Sequence, residues 1–111
     1  MGHTLAEKII ARHADEAVTG AGQIVRCKVS LVLANDITAP LAAKSFRAMG
    51  AKKVFDTSRI ALIMDHFTPN KDVASAEQVR GVREFAHEYG IEKYVEGGDC
   101  GVEHALLPEK G

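Results

Sequence analysis

The sequence predicts an α/β domain with a mainly parallel sheet and flanking helices, and three observations carry that expectation. Apolar runs of strand length, Leu31-Val-Leu-Ala34 and Ile60-Ala-Leu-Ile-Met64, each end in polar residues. Each run is followed by a longer segment with helical spacing of its apolar residues, closed by Gly50 and Gly90. The resulting order of strand, helix, strand, helix, strand suits right-handed parallel crossovers.

Each element has its own justification. Thr4-Leu-Ala-Glu7 has the form of a capping box, so a first helix is expected from about Leu5 to His13, with Leu5, Ile9 and Ile10 on one face as a peripheral element. After Gly20-Ala-Gly22 the period changes to two: Val25, Cys27, Val29, Leu31 and Leu33 alternate with polar residues, predicting a strand from Ile24 to Ala34. Its all-apolar second half predicts a central position covered on both faces. Thr38 is the expected cap of a second helix with Pro40 in its first turn, and Leu41, Ala42, Ser45, Phe46 and Met49 form one face. Ile60 to Met64 is compatible by period with a buried helix turn, but Ser58-Arg59 and Thr68-Pro69 on either side favour a strand. A third helix is expected from about Val73 to Tyr89, and a last strand from Ile91 to Glu96 before Gly97-Gly98. The expected organisation is a single domain over 1–111.

Composition narrows the function classes. Of 111 residues, 46% are hydrophobic and 26% charged, and 14 basic residues stand against 15 acidic ones without any block of like charge. That balance argues against a nucleic-acid partner or an anionic membrane surface. No apolar run reaches the roughly 20 residues of a membrane span, and MGHTLAEKII lacks the order of a signal peptide, so a cytoplasmic location is expected. Cys27 and Cys100 match no zinc spacing and no dense disulfide framework; reduced thiols are the expectation, a Cys27–Cys100 disulfide the alternative.

Polar residues collect at the strand ends: Asn35-Asp36, then Asp65-His66, then Asp99-Cys100 with Glu103-His104. Ligands of open α/β sheets bind at the carboxyl ends of parallel strands, so three such ends on one edge form a candidate site. Asp65 beside His66 suits acid chemistry, because a carboxylate favours the imidazolium and orients the ring. Neighbours on an extended strand point to opposite faces, however, so the pair forms only if the chain turns there. Otherwise Asp65 caps the next turn and His66 is a surface residue. His104 is similarly open: either Gly97-Gly98-Asp99-Cys100-Gly101 brings backbone to a ligand and presents His104, or the segment is a surface hairpin. Two histidines at comparable strand ends carry more weight than one. The sequence contains no Walker A loop, H-E-x-x-H helix or G-x-S-x-G elbow.

The segments MGHTLAEKII, LANDITAP, IMDHFTPNKD and GDCGVEHALLPEKG, in that order, closely resemble the N-terminal part of the large subunit in the isopropylmalate dehydratase and homoaconitase family of the aconitase superfamily. The resemblance covers essentially the whole chain and implies the N-terminal portion of an aconitase-type first domain. It further implies a hydro-lyase of leucine biosynthesis that isomerises a small hydroxy di- or tricarboxylic acid by dehydration and rehydration at a four-iron, four-sulfur cluster. On this resemblance Asp65 and His66 are the pair that assists departure of hydroxide as water, His104 lies near the open iron, and Asn35 contacts substrate or iron-bound water. The implied partners are a small subunit and the remaining large-subunit domains.

The resemblance also implies what is missing. The family's three cluster cysteines lie downstream in D-S-H-T-C and C-x-x-C segments, and neither Cys27 nor Cys100 matches them, so no cluster is expected on this chain. The proton-abstracting serine and the substrate-binding arginines also belong elsewhere. The chain is therefore expected to be a piece of a longer subunit, silent alone, and to self-associate through apolar surface at the ends of Ile60–Met64 and at Leu106-Leu107. Homoaconitase or an aconitase-type hydratase of another substrate remains an alternative, as does a free-standing α/β binding module.

Overall fold

The computed structural model describes residues 2–110, which fall into two compact units, one ending at Ser30 and one starting at Leu31. In the first unit α1 (Leu5–His13) begins at the expected capping box. The Thr4 hydroxyl accepts from the Glu7 N–H at 3.2 Å, and the Glu7 carboxylate accepts from the Thr4 N–H at 2.7 Å. No residue of α1 is buried. The expected strand from Ile24 does not form over residues 24–31. Cys27 makes an isolated antiparallel bridge with Ala14, and Ile24 is 96% exposed. Alternation alone cannot make a strand when its N–H and C=O groups meet no continuous partner.

The second unit is a three-stranded parallel sheet in the order β1 (Val32–Asn35), β2 (Ile60–Ile63), β3 (Lys93–Val95). Asn35 lies opposite Ile63, and Ile63 opposite Val95, so the three carboxyl ends are level. The central strand is β2, and the expectation of a central β1 is corrected: Val32 and Leu33 lie on an edge and keep 40% and 38% of their surface exposed. Every residue of β2 is buried, as the continuous apolar run requires.

Two crossover helices complete the core. α2 (Thr38–Ala48) and α3 (Val73–Tyr89) contribute Ala39, Ala43, Val79, Val82, Phe85 and Ala86 to a cluster with Ile60, Leu62 and Met64. Alternate residues of a strand share a face, so these helices cover the Ile60, Leu62 and Met64 face. Phe46 of α2 meets Phe85 and Tyr89 of α3 edge-on, with ring centroids 5.7 and 5.1 Å apart. An apolar hollow of about 210 Å³ remains between α2 and the sheet, beside Phe46 and Leu62.

Helix ends hold two further corrections. Thr38 does not cap α2, whose N-cap is Ile37 without a side-chain bond of its own; the Asn35 side-chain oxygen accepts from the N–H groups of Ile37 and Thr38, both at 3.0 Å. After Gly101 the chain forms a helix that the sequence did not predict, α4 (Glu103–Lys110). α3 has the expected bounds, opened by an Asp72–Ser75 capping box and closed by Gly90 at φ 66°. Buried Ile60–Met64 also removes one of the two apolar surfaces expected for self-association; the exposed large apolar residues of this unit include Leu41, Met49 and Phe55. No helix among the described residues is long and apolar enough to cross a membrane.

Candidate active site

The site forms where β1, β2 and α4 meet, because parallel pairing brings Asn35 and Ile63 level and the chain leaves each strand in a turn. Met64 still pairs with β3, its N–H donating to the Val95 carbonyl at 2.8 Å, and Asp65 and His66 follow as the chain bends away. That bend contains a cis peptide between Thr68 and Pro69. The turn after Met64 overcomes the opposite facing of neighbouring strand residues, and His66 Nδ1 reaches Asp65 Oδ1 at 2.6 Å.

The Asp65 side chain is 5% exposed and the His66 ring 40% exposed. One oxygen of Asp65 holds the ring while the other accepts from the Glu103 N–H at 2.7 Å. The hydrogen bond to Asp65 raises the His66 pKa above the ordinary imidazole value; desolvation opposes this, and the charges of Asp65, Asp36 and Glu103 add to it. With Nδ1 committed to Asp65, Nε2 is the ring nitrogen available to a ligand.

Asp36, which sequence reasoning did not single out as a site residue, is fully buried at the centre of this edge. Its carboxylate accepts from the His66 N–H at 3.2 Å and from the Phe67 N–H at 2.6 Å. Its Oδ1 also lies 3.6 Å from His66 Nδ1. A signal was present in the sequence: an aspartate directly after an apolar strand and before a helix start has backbone N–H groups of the neighbouring strand end within reach. Glu103 was likewise underweighted. It is 5% exposed, accepts from Asn35 Nδ2 at 3.2 Å, and keeps Oε2 buried without a hydrogen-bond partner.

The candidate residues thus separate into groups. Asp65 and His66 are in contact, and Asn35 joins them through Glu103 while its side-chain oxygen accepts from the Thr38 N–H at the start of α2. His104 stands apart: its side chain is 81% exposed and its Nε2 lies 3.5 Å from Glu103, not at the acid pair.

The donors present do not fit an iron–sulfur cluster, which is held by several thiolates. Cys100 donates to the Met64 carbonyl at 3.2 Å, and burial first, then the charges of Asp65 and Asp36, push its thiol pKa up. Cys27 belongs to the other unit. The unpaired Glu103 oxygen is a hard carboxylate donor, not a thiolate. Asp36, Asp65 and His66 bring one donor atom each within 4.8 Å of one another, but the two carboxylates are already occupied by N–H groups. The arrangement is an imidazole whose Nδ1 is bonded to Asp65 and lies 3.6 Å from the buried Asp36 carboxylate.

No family model matches the chain. Across all 111 of its residues it is 74% identical to the 3-isopropylmalate dehydratase large subunit of Nitratidesulfovibrio vulgaris (strain DSM 19637 / Miyazaki F). It is 68% identical over the same span to the large subunit of Oleidesulfovibrio alaskensis, and 56% identical to 3-isopropylmalate dehydratase large subunit 1 of Pyrococcus abyssi. The chain is a relative of 3-isopropylmalate dehydratase large subunits. It spans 26–27% of the length of these curated relatives. All of the site segments, from Asn35-Asp36 to Glu103-His104, lie inside the span matched to those dehydratase subunits.

Proposed function

We propose that these residues supply the proton-donating edge of a hydro-lyase site of the 3-isopropylmalate dehydratase type, acting in leucine biosynthesis in the cytoplasm. The substrate class is a small hydroxy dicarboxylic acid, and the site is completed by the remaining large-subunit domains and a small subunit. The observation that carries this reading is the 2.6 Å contact between His66 Nδ1 and a nearly buried Asp65, at the carboxyl end of the central strand.

Hydroxide is a poor leaving group, and protonation in the transition state turns it into water. The His66 imidazolium keeps one proton on Nδ1 toward Asp65 and gives the other from Nε2 to the departing hydroxyl, leaving a neutral ring. In rehydration the neutral ring takes that proton back from the attacking water. Proton removal from carbon falls to a base outside these residues, and any iron–sulfur cluster is held by cysteines outside them. Asn35 and His104 are proposed to face the substrate side of the same edge once the site is complete.

The test is steady-state dehydration of isopropylmalate by the two-subunit enzyme whose large subunit contains these residues. His66→Gln should lower kcat by about 10²–10⁴-fold with KM little changed, the size of a lost general acid. A kcat within about threefold of the unaltered enzyme would contradict the reading.

A further inference from the structure

We propose that Asp36 is a positioning residue for the acid pair, its buried carboxylate fixing the His66–Phe67 backbone and facing the same ring nitrogen of His66 that Asp65 bonds. The inference rests on reading His66 as the acid, but its geometry is independent of catalysis. A fully buried carboxylate is costly unless hydrogen-bonded. Here the N–H groups of two successive residues bind it, at 3.2 and 2.6 Å, and both belong to the loop that presents the acid. Asp36 leaves β1 directly after Asn35, so it ties the edge strand to the end of the central one.

Its second effect is electrostatic. The charged groups facing the ring are Asp65 on its own loop, Asp36 from the end of β1 and Glu103 from the first turn of α4. Asp65 bonds the ring directly, while Asp36 lies 3.6 Å from the same nitrogen in a place shielded from water. A charge so placed favours imidazolium over neutral imidazole. Asp36 therefore sets both where the ring sits and how readily it holds its proton, without touching substrate.

Asp36→Asn separates these roles from simple loop capping, because the amide oxygen still accepts an N–H while the charge is gone. The measurement is an NMR titration of His66 in the 111-residue chain, assigned by comparison with His66→Gln. In D36N, His66 should titrate lower than in the unaltered chain. A folded D36N chain with an unmoved His66 titration would reduce Asp36 to a structural cap and overturn the proposal. The unaltered chain provides a second reading that does not depend on D36N folding. The Phe67 amide proton should shift downfield and resist exchange, and rapid exchange there would also overturn the proposal. Neither readout needs turnover, so failure of the hydro-lyase reading would appear separately, in the His66→Gln kinetics.

Discussion

At the residue scale the site depends on where carboxylates find their hydrogen bonds. Asp65 divides its oxygens between the His66 ring and the Glu103 N–H, so it orients the acid and joins α4 to the strand edge. The raised His66 pKa has a consequence for folding. An imidazole whose folded pKa lies above its unfolded value of about 6.5 stabilises the fold fully below that value. The contribution is lost as pH rises through the folded pKa. Denaturant unfolding of the 111-residue chain should therefore give a falling midpoint from about pH 6.5 upward. His66→Gln should flatten that slope, and an equal slope in both chains would contradict the assignment. Asp65-His66 was legible in the sequence as a pair conditional on a turn, and the turn exists. For Asp36 only the position after an apolar strand was legible; its burial depends on which N–H groups a neighbouring strand end supplies, and that is a property of register.

At the scale of elements, α1, α2 and α3 were legible and α4 was not. α1 and α3 have their expected bounds because Thr4-x-x-Glu7 at one start and Gly90 at one end are local devices. α4 escaped because it has only eight residues and contains Pro108, which reads as a breaker. The strand expected from Ile24 failed because alternation says which side a residue faces, not whether a partner strand is present. α3 permits a paired test of its two glycines. A Cβ at Gly81 or at Gly90 would meet nothing within 4 Å, but Gly90 has φ 66° and Gly81 is helical. Gly81→Ala should stabilise by about 0.5–1 kcal/mol. Gly90→Ala should destabilise by about 1–2 kcal/mol, since a left-handed conformation penalises a Cβ. Thermal melts of the two variants should move in opposite directions, and shifts of the same sign would contradict these assignments.

At the scale of the whole molecule, burial is concentrated on β2 and on the α2–α3 face that covers it. Met64 is 0% exposed while Met49 is 75% exposed. Met64→Ala should cost about 2–5 kcal/mol in denaturant unfolding, and Met49→Ala should stay within about 0.5 kcal/mol. The core is what holds the carboxyl ends of the strands level, so it also sets the distance from Asp36 and Asp65 to His66. At this edge the flanking carboxylates, Asp65 first, raise the His66 pKa above the ordinary imidazole value. The most direct measurement is the NMR titration of all the ring protons in the unaltered chain, with His66 identified by its loss in His66→Gln. His66 should titrate above the ordinary imidazole value of about 6.5. A His66 that titrates at or below that value would contradict this reading.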